Sequence, residues 1–305
     1  MTRRQAVAAA ASLVLAALLP LVRGHAVLVE PPARNIKAGD ANQYCPSCGN
    51  GNGVCGDGGQ WGANSNILAV DEGPQRTYRA GEVVKFKVEM TAHHMGHFQF
   101  SICDHHLGPD TPDPEGPKGC LSEWPLERVP GVVKDCVPDD SRGDCQPLDA
   151  DYPQRWYLAP TGPMEMHFRI PKGLQCDSCT LQWRWWTANS CTPAPGYGCY
   201  YKRMHDLGWS TRRWCGYFCG SCPNALLEAN ATSRRVEAHA HVAAETTRCG
   251  EQFRNCADIR VLPSGSATPS PSSPAPAPSP SPGRPQPSPG PAPSTTAAPG
   301  PAPST

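Results

Sequence analysis

Apolar and polar residues alternate with a period of two along much of the chain. In residues 83–90, for example, Val84, Phe86 and Val88 are separated by charged side chains. The segments that show this period are residues 83–90, 98–102, 164–170, 180–187 and 257–262. Because successive side chains of a strand point to opposite faces, each segment is predicted to be a β-strand with one buried face.

Turn residues separate the predicted strands, and helical periodicity is weak. One buried face per strand is typical of antiparallel sheets, and short strands between turns are typical of sandwiches. The chain is therefore predicted to be all-β, forming an immunoglobulin/fibronectin-III-like antiparallel β-sandwich with long disulfide-tied loops. Residues 225–244 are the only stretch for which the sequence suggests a helix.

The two ends of the chain differ in composition from the segment between them. Residues 6–21 form an apolar run after Arg3 and Arg4, and small residues precede a cut after Gly24. This pattern predicts a secretory signal peptide at residues 1–24 and is rather short for a membrane span. Residues 263–305 are rich in Pro and Ser, which predicts a disordered tail. That tail is either a tether to a cell wall or matrix or a solvated segment without a partner.

Cysteine content and charge narrow the class of protein. All 16 cysteines lie between Cys45 and Cys256, so a secreted chain could form up to eight disulfides. The spacing of Cys215, Cys219 and Cys222 would suggest zinc in the cytosol, but the secreted context favours disulfides. Asn230 begins an N-glycosylation acceptor motif. The zero net charge argues against nucleic-acid binding, and no second apolar run reaches membrane-spanning length.

Histidines provide the candidate metal chemistry. Cleavage after residue 24 would make His25 the amino terminus, where the α-amine and the ring Nδ1 can chelate a metal together. Residues 91–97 add His93, His94 and His97. An amine with two imidazoles favours Cu(II) in tetragonal geometry. A histidine pair after a strand is more often structural, and the chain has further histidines at positions 105, 106, 205, 239 and 241, so histidine richness alone is a weak signal.

Five sequence blocks resemble lytic polysaccharide monooxygenases, in particular auxiliary activity family fifteen and the chitin-binding type-4 domain. The blocks are His25 with residues 31–35, and residues 53–57, 91–96, 176–189 and 253–259. They occur in the family's order and reach from residue 25 to residue 259. This resemblance implies a copper monooxygenase domain at residues 25–262, which contains a cysteine-rich insertion at about residues 191–249.

The resemblance also implies a histidine brace that holds one copper ion. His25 matches the amino-terminal ligand, and His94 matches the second ligand. Ala92 matches the small residue that shapes access above the copper, and Phe253 matches the axial aromatic position. His93 stands where the family often has asparagine. Since neighbouring residues of a strand face opposite ways, only one of these two adjacent histidines is expected to reach the metal.

Such an enzyme receives electrons from an external donor and uses O2 or H2O2 as cosubstrate. It oxidises C1 or C4 of a sugar in crystalline chitin or cellulose, which breaks the glycosidic bond. The chain is expected to act as a secreted monomer, outside the cell or in the cell wall or matrix. The alternatives are a non-catalytic carbohydrate-binding protein and a copper-binding or copper-handling protein.

By the same resemblance, the cysteine-rich insertion is longer than the segment that the family usually has there. Its aromatic residues are Tyr197, Tyr200, Tyr201, Trp209 and Trp214. They could stack on sugar rings or pack a small core within the insertion, and packing is the favoured interpretation.

Overall fold

The computed structural model describes residues 26–37, 53–58, 64–158, 164–222 and 251–265. Several predictions lie outside these residues: those on the signal peptide 1–24, His25, the helix at residues 225–244, Asn230, His239, His241 and the tail beyond residue 265. The predicted domain boundaries therefore remain predictions.

The described residues form two β-sheets. The strands are β1 (Ala26–Glu30), β2 (Arg76–Arg79), β3 (Val83–Met90), β4 (His97–Cys103), β5 (Glu127–Arg128), β6 (Trp156–Tyr157), β7 (Met164–Arg169), β8 (Cys176–Trp186) and β9 (Gln252–Leu262). The first sheet has the order β1-β3-β7-β5, and the second has the order β2-β9-β8-β4-β6. Every pair is antiparallel except β2 and β9, which run parallel.

The two sheets pack face to face through large apolar side chains. Phe86 of β3 lies in the first sheet, and its ring centroid is 4.6 Å from that of Phe100 in the second sheet. Phe168 of β7 completes the contact at 4.9 Å from Phe100. Such aromatic contacts add to the hydrophobic stabilisation of a core. The predicted all-β sandwich is confirmed, with the parallel β2–β9 pair as the departure from a purely antiparallel arrangement.

Strands β8 and β9 both begin earlier than predicted, and the added residues of β9 are buried because its outer face is also covered. Gln182 and Arg254 are buried there, although both are polar. Glu115, from the loop after β4, accepts hydrogen bonds from both side chains, at 2.7 Å and 2.8 Å. Since polar residues are buried on this face as well, the alternation of apolar and polar residues understates the length of the strands.

Helices are short, and the longest described one was not predicted. The helices are α1 (Arg34–Lys37), α2 (Cys120–Glu123), α3 (Tyr197–Asp206) and α4 (Arg212–Cys215), with 3-10 turns at Ile67–Ala69 and Gly143–Cys145. The expectation that residues 225–244 hold the only helical stretch is therefore wrong. Helix α3 buries Tyr197, Tyr200, Tyr201 and Met204. Their spacing is that of one helix face, but the surrounding Pro, Gly and Cys residues obscured it.

Disulfides connect the loops as predicted. The pairs with both cysteines described are Cys55–Cys256, Cys103–Cys120, Cys136–Cys145, Cys176–Cys179, Cys199–Cys222 and Cys215–Cys219. Cys191 is disulfide-bonded as well. The disulfide interpretation of Cys215, Cys219 and Cys222 is thus confirmed over zinc.

None of the described helices is long and apolar enough to cross a membrane.

Candidate metal site

Buried polar contacts fix strand β1 and helix α1 to strand β9. The backbone N–H of Leu28 donates to Oδ1 of Asn255 in β9, at 3.0 Å. Arg34 in α1 donates two hydrogen bonds to the carboxylate of Asp258, at 3.0 Å and 2.6 Å, and both side chains are buried. Arg34, Asn255 and Asp258 belong to two of the sequence blocks identified above. These blocks therefore share one packing unit, which anchors β1 beside β9.

The loop at residues 91–96, here called the histidine loop, joins β3 to β4. Its backbone is held by three hydrogen bonds: Trp185 Nε1 to the Met95 carbonyl at 2.7 Å, Ala188 N to the His94 carbonyl at 2.9 Å, and Leu158 N to the Gly96 carbonyl at 3.1 Å. Met95 and Gly96 have φ values of 55° and 90°. Because His93 and His94 lie in a loop, the expectation that strand alternation separates them is wrong.

Gly96 allows the histidine loop to approach strand β8 closely. A Cβ atom at this position would lie 1.9 Å from the Trp186 carbonyl oxygen. Positive φ already favours glycine, and this contact excludes any side chain. The close approach brings the loop backbone against the end of β8.

His94 is a partly exposed imidazole flanked by aromatic rings. Its side chain is 20% exposed. The imidazole stacks on Trp185 at 5.7 Å between centroids, and Phe253 lies at 6.4 Å. Nε2 of His94 is 3.4 Å from Oε2 of Glu251. The site therefore has an apolar inner side and an acidic neighbour.

His93 occupies a different environment from His94. Its Nδ1 accepts a hydrogen bond from the backbone N–H of Met95 at 3.2 Å. One of its ring nitrogens thus supports the turn of the histidine loop. The structure consequently distinguishes the two adjacent histidines, of which His94 has the aromatic neighbours described above.

The other predicted site residues lie in different settings. Ala92 is partly exposed within the histidine loop. Phe253 is fully buried, and its ring packs 5.0 Å from that of Trp185. Phe253 is therefore a core residue at the start of β9 that also borders the imidazole of His94. His25 lies outside the described residues.

Glu251 is the neighbour of His94 that the sequence analysis did not single out. Its backbone carbonyl accepts hydrogen bonds from the Thr187 hydroxyl at 2.8 Å and the Thr187 N–H at 3.4 Å. The glutamate precedes Phe253 by two residues at the entry to β9. Side chains two residues apart in a strand point to the same face, so the sequence did contain a signal that Glu251 lies on the same side as Phe253.

His97, three residues after His94, is buried against the insertion. It hydrogen-bonds through Nδ1 to the Tyr197 hydroxyl, and its ring stacks on Trp186 at 6.3 Å. Burial holds the pKa of His97 well below its usual 6.5, and the positive charges of Arg155 and Arg184 lower it further. His97 is a neutral structural histidine that connects β4 to α3.

Other groups of metal-type side chains have different roles. His105 lies near Cys103 and Cys120, whose sulfurs form a disulfide. His106 approaches Asp258 at 3.3 Å, but that carboxylate already pairs with Arg34. A similar group at Cys136, Asp140 and Cys145 also contains a disulfide. His205 is 76% exposed on α3. The ring of His167 is already paired, since its Nδ1 lies 2.5 Å from a carboxylate oxygen of Asp144. These observations leave His94 as the described histidine whose setting best suits a surface metal site.

Fold and site together define a class: β-sandwich proteins that present an imidazole donor at one end of the sheets. Imidazole suits copper, and the aromatic neighbours limit water on the inner side. The family model described as "lytic polysaccharide mono-oxygenase, cellulose-degrading" matches residues 24–259. The chain belongs to this family, whose members are copper polysaccharide monooxygenases. The resemblance drawn from the sequence blocks is confirmed.

Three solved structures are similar to the chain at low sequence identity. An auxiliary activity family fifteen monooxygenase from Thermobia domestica, in the Cu(I) state, shares 20% identity with a TM-score of 0.39, covering 78% of this chain and 98% of that one. A polysaccharide monooxygenase named CBM33 shares 10% identity with a TM-score of 0.33, covering 78% and 100%. A chitin-binding domain from Burkholderia pseudomallei shares 12% identity with a TM-score of 0.33, covering 78% and 99%. The curated proteins gave no significant match.

Proposed function

We propose that this protein is a secreted copper monooxygenase that cleaves crystalline chitin or cellulose oxidatively. His25, as the mature amino terminus, and His94 would be the copper ligands. Family membership supports the general activity, and the remaining details are inferred from the residues around His94.

The observation that best supports this assignment is the pairing of Ala26 with Met90. Ala26 follows His25 in the sequence, and it pairs with the last residue of β3, just before the histidine loop. His94 lies four residues after Met90, in the histidine loop. His25, which precedes Ala26 in the sequence, would therefore lie near the imidazole of His94 at one end of the first sheet.

The residues present fit a copper ion that is bound by nitrogen donors. Once bound and reduced by an external donor, copper supplies the activation of O2 or H2O2 needed to oxidise C1 or C4 of a sugar. His94 would donate an imidazole nitrogen. Phe253 and Trp185 would keep water from the inner side, and the small side chain of Ala92 would leave the outer side open. Phe253 carries no donor atom, so it would border the copper without adding a ligand.

Localisation follows from the same proposal. The signal peptide at residues 1–24 would direct secretion, and its removal would create the His25 amine. The disulfides among the described residues suit an oxidising compartment. The tail beyond residue 265 would connect a monomeric enzyme to a wall or matrix.

The decisive experiment uses protein with an authentic His25 terminus. The protein is loaded with copper and incubated with ascorbate and either chitin or cellulose, and oxidised oligosaccharides are detected by mass spectrometry. His94→Ala should abolish these products and weaken copper binding by at least about 100-fold. His205→Ala, which removes an exposed histidine on α3, should leave both unchanged.

Two further variants separate the alternatives. His93→Ala should retain copper binding, since that ring supports the loop backbone. Protein that retains Gly24 should be inactive because its α-amine has become an amide. Activity of this extended protein would contradict the brace. Polysaccharide binding without products would indicate a binding module, and copper binding without polysaccharide affinity would indicate copper handling.

A further inference from the structure

Tyr217 is an exposed aromatic residue in the described part of the insertion, which also contains five buried ones. Residues 191–222, the described part of the insertion, are here called the cysteine-rich lobe. Tyr197, Tyr200, Tyr201, Trp209 and Trp214 are all buried, but in the core that the lobe shares with the β-sandwich and not in a small core of its own. Tyr217 is 84% exposed, more than any other exposed large hydrophobic residue among those described. Isolated exposed residues are common, so exposure alone assigns no role.

The backbone around Tyr217 is held on both sides. The N–H of Gly216 donates to the Arg212 carbonyl, and the N–H of Phe218 donates to the Cys215 carbonyl, both at 2.9 Å. The Phe218 carbonyl accepts a hydrogen bond from the Thr192 hydroxyl at 2.9 Å. A disulfide between Cys215 and Cys219 closes this short segment. Tyr217 is thus presented on a constrained turn.

The Tyr217 side chain is also oriented. Nη2 of Arg212 donates a hydrogen bond to its hydroxyl at 2.9 Å, and the guanidinium carbon is 5.1 Å from the ring centroid. A ring that is already oriented loses less conformational entropy when it binds a ligand. This arrangement is suited to a contact that uses the face of the ring.

The position of Tyr217 relates it to the candidate metal site. A Cβ on Gly216 would lie 2.9 Å from Sδ of Met95, so the turn touches the histidine loop. Met95 follows His94 directly in the sequence. These links place the Tyr217 Cα within roughly 16 Å of the His94 Cα. A few sugar rings of an extended polysaccharide would cover that distance.

We infer that Tyr217 stacks on a pyranose ring of the polysaccharide chain that is oxidised beside His94. This inference rests on the proposed function and adds a substrate contact from the cysteine-rich lobe. The C–H face of a pyranose is weakly positive and apolar, which complements the negative face of an aromatic ring. The guanidinium of Arg212 lies over the Tyr217 ring and donates to its hydroxyl, and it could also donate hydrogen bonds to sugar hydroxyls.

A protein partner fits this turn less well than a sugar. Stable protein interfaces bury about 800 Å² on each partner around a cluster of apolar residues. The other strongly exposed apolar residue of the cysteine-rich lobe is Leu207. It precedes Gly208, where a Cβ would contact Pro138 and not the histidine loop. A single oriented ring is sufficient for stacking on a sugar.

The test compares binding isotherms of the mature, copper-loaded protein on crystalline chitin and cellulose without a reductant, so that no turnover occurs. Tyr217→Ala should raise the dissociation constant about fivefold on the polysaccharide that the parent binds. Tyr217→Phe keeps the ring and should stay within about twofold. Leu207→Ala, a matched exposed substitution in the same lobe, should bind like the parent. Thermal unfolding midpoints of all variants should be equal.

The outcomes distinguish this inference from the proposed function. Equal binding by the parent and Tyr217→Ala would overturn the role of Tyr217 and leave the monooxygenase assignment intact. If the parent yields no oxidised products but Tyr217→Ala still binds polysaccharide more weakly than the parent, the sugar contact would be supported and the monooxygenase assignment would be overturned. A parent that binds neither polysaccharide would overturn both.

Discussion

The histidine loop and the cysteine-rich lobe meet at Met95 but are held in place differently. The histidine loop is fixed by backbone contacts, above all the close approach of Gly96 to the Trp186 carbonyl. The lobe is held by buried aromatic rings and by disulfides that include Cys199–Cys222 and Cys215–Cys219. The position of the histidine loop therefore depends on backbone geometry, and that of the cysteine-rich lobe depends on apolar burial and disulfide cross-links.

The cysteine-rich lobe shares its core with the β-sandwich. The rings of Tyr200 in α3 and Tyr157 in β6 stack at 3.9 Å, nearly parallel. Trp214 and Trp209 belong to the same continuous cluster of buried residues as the sandwich core. The separate small core favoured from the sequence is therefore not what the structure contains. This contact suggests that the lobe positions the candidate substrate surface rigidly.

The largest expected effect tests whether the lobe and the sandwich unfold together. Trp214→Ala removes a fully buried ring that packs on Trp209 at 5.5 Å. It should lower the free energy of unfolding by about 4 kcal/mol. Urea unfolding with intact disulfides, followed by circular dichroism, should show one shifted transition. A separate early transition would mean that the lobe is an independent unit.

The next prediction concerns the backbone of the histidine loop. Gly96→Ala adds a methyl group against the Trp186 carbonyl at positive φ and should cost about 3 kcal/mol. Gly131 also has positive φ, but no atom lies within 4 Å of a Cβ there. Gly131→Ala should therefore cost only about 1 kcal/mol. Equal losses in urea unfolding would show that the close approach adds nothing.

Local patterns in the sequence predicted much of the fold and part of the site. Alternation identified the strand cores because Phe86 and Phe100 face one apolar layer. The sequence blocks identified His94, whose neighbours in the structure come from β8 and β9. The order of residues within a strand or motif carries this information directly.

Features that depend on contacts between distant segments were missed. Glu251 approaches His94 only because β9 begins beside the histidine loop. The parallel pairing of β2 and β9 depends on where a long connection returns. Exposure within the cysteine-rich lobe depends on docking against Tyr157, so the sequence could not show that the five aromatic candidates are buried while Tyr217 is exposed. Long-range packing decides each of these features.

His97 makes the contact between β4 and the cysteine-rich lobe dependent on pH. Its pKa is lowered by burial, so the folded state keeps the ring neutral while the unfolded state takes up a proton below about pH 6.5. The contribution of His97 to stability is therefore fully present above pH 6.5 and is lost as the pH decreases. Between pH 7 and pH 5, the parent should lose up to about 2 kcal/mol more than His97→Gln. Parallel curves of unfolding free energy against pH would contradict this role.

The smallest predicted effect isolates one hydroxyl at the junction of lobe and sandwich. The Tyr200 hydroxyl donates to the Pro147 carbonyl at 2.9 Å and lies 3.2 Å from Oε1 of Gln146. Tyr200→Phe should lower the free energy of unfolding by about 1 kcal/mol, because the partly buried Pro147 carbonyl loses the shorter of its two hydrogen bonds, the other coming from Arg128 Nη1 at 3.3 Å. The same change at exposed Tyr217 should have no measurable effect, since water replaces the lost contact. Urea unfolding of both variants measures the difference, and equal stability of the two would show that the Tyr200 hydroxyl does not secure the lobe.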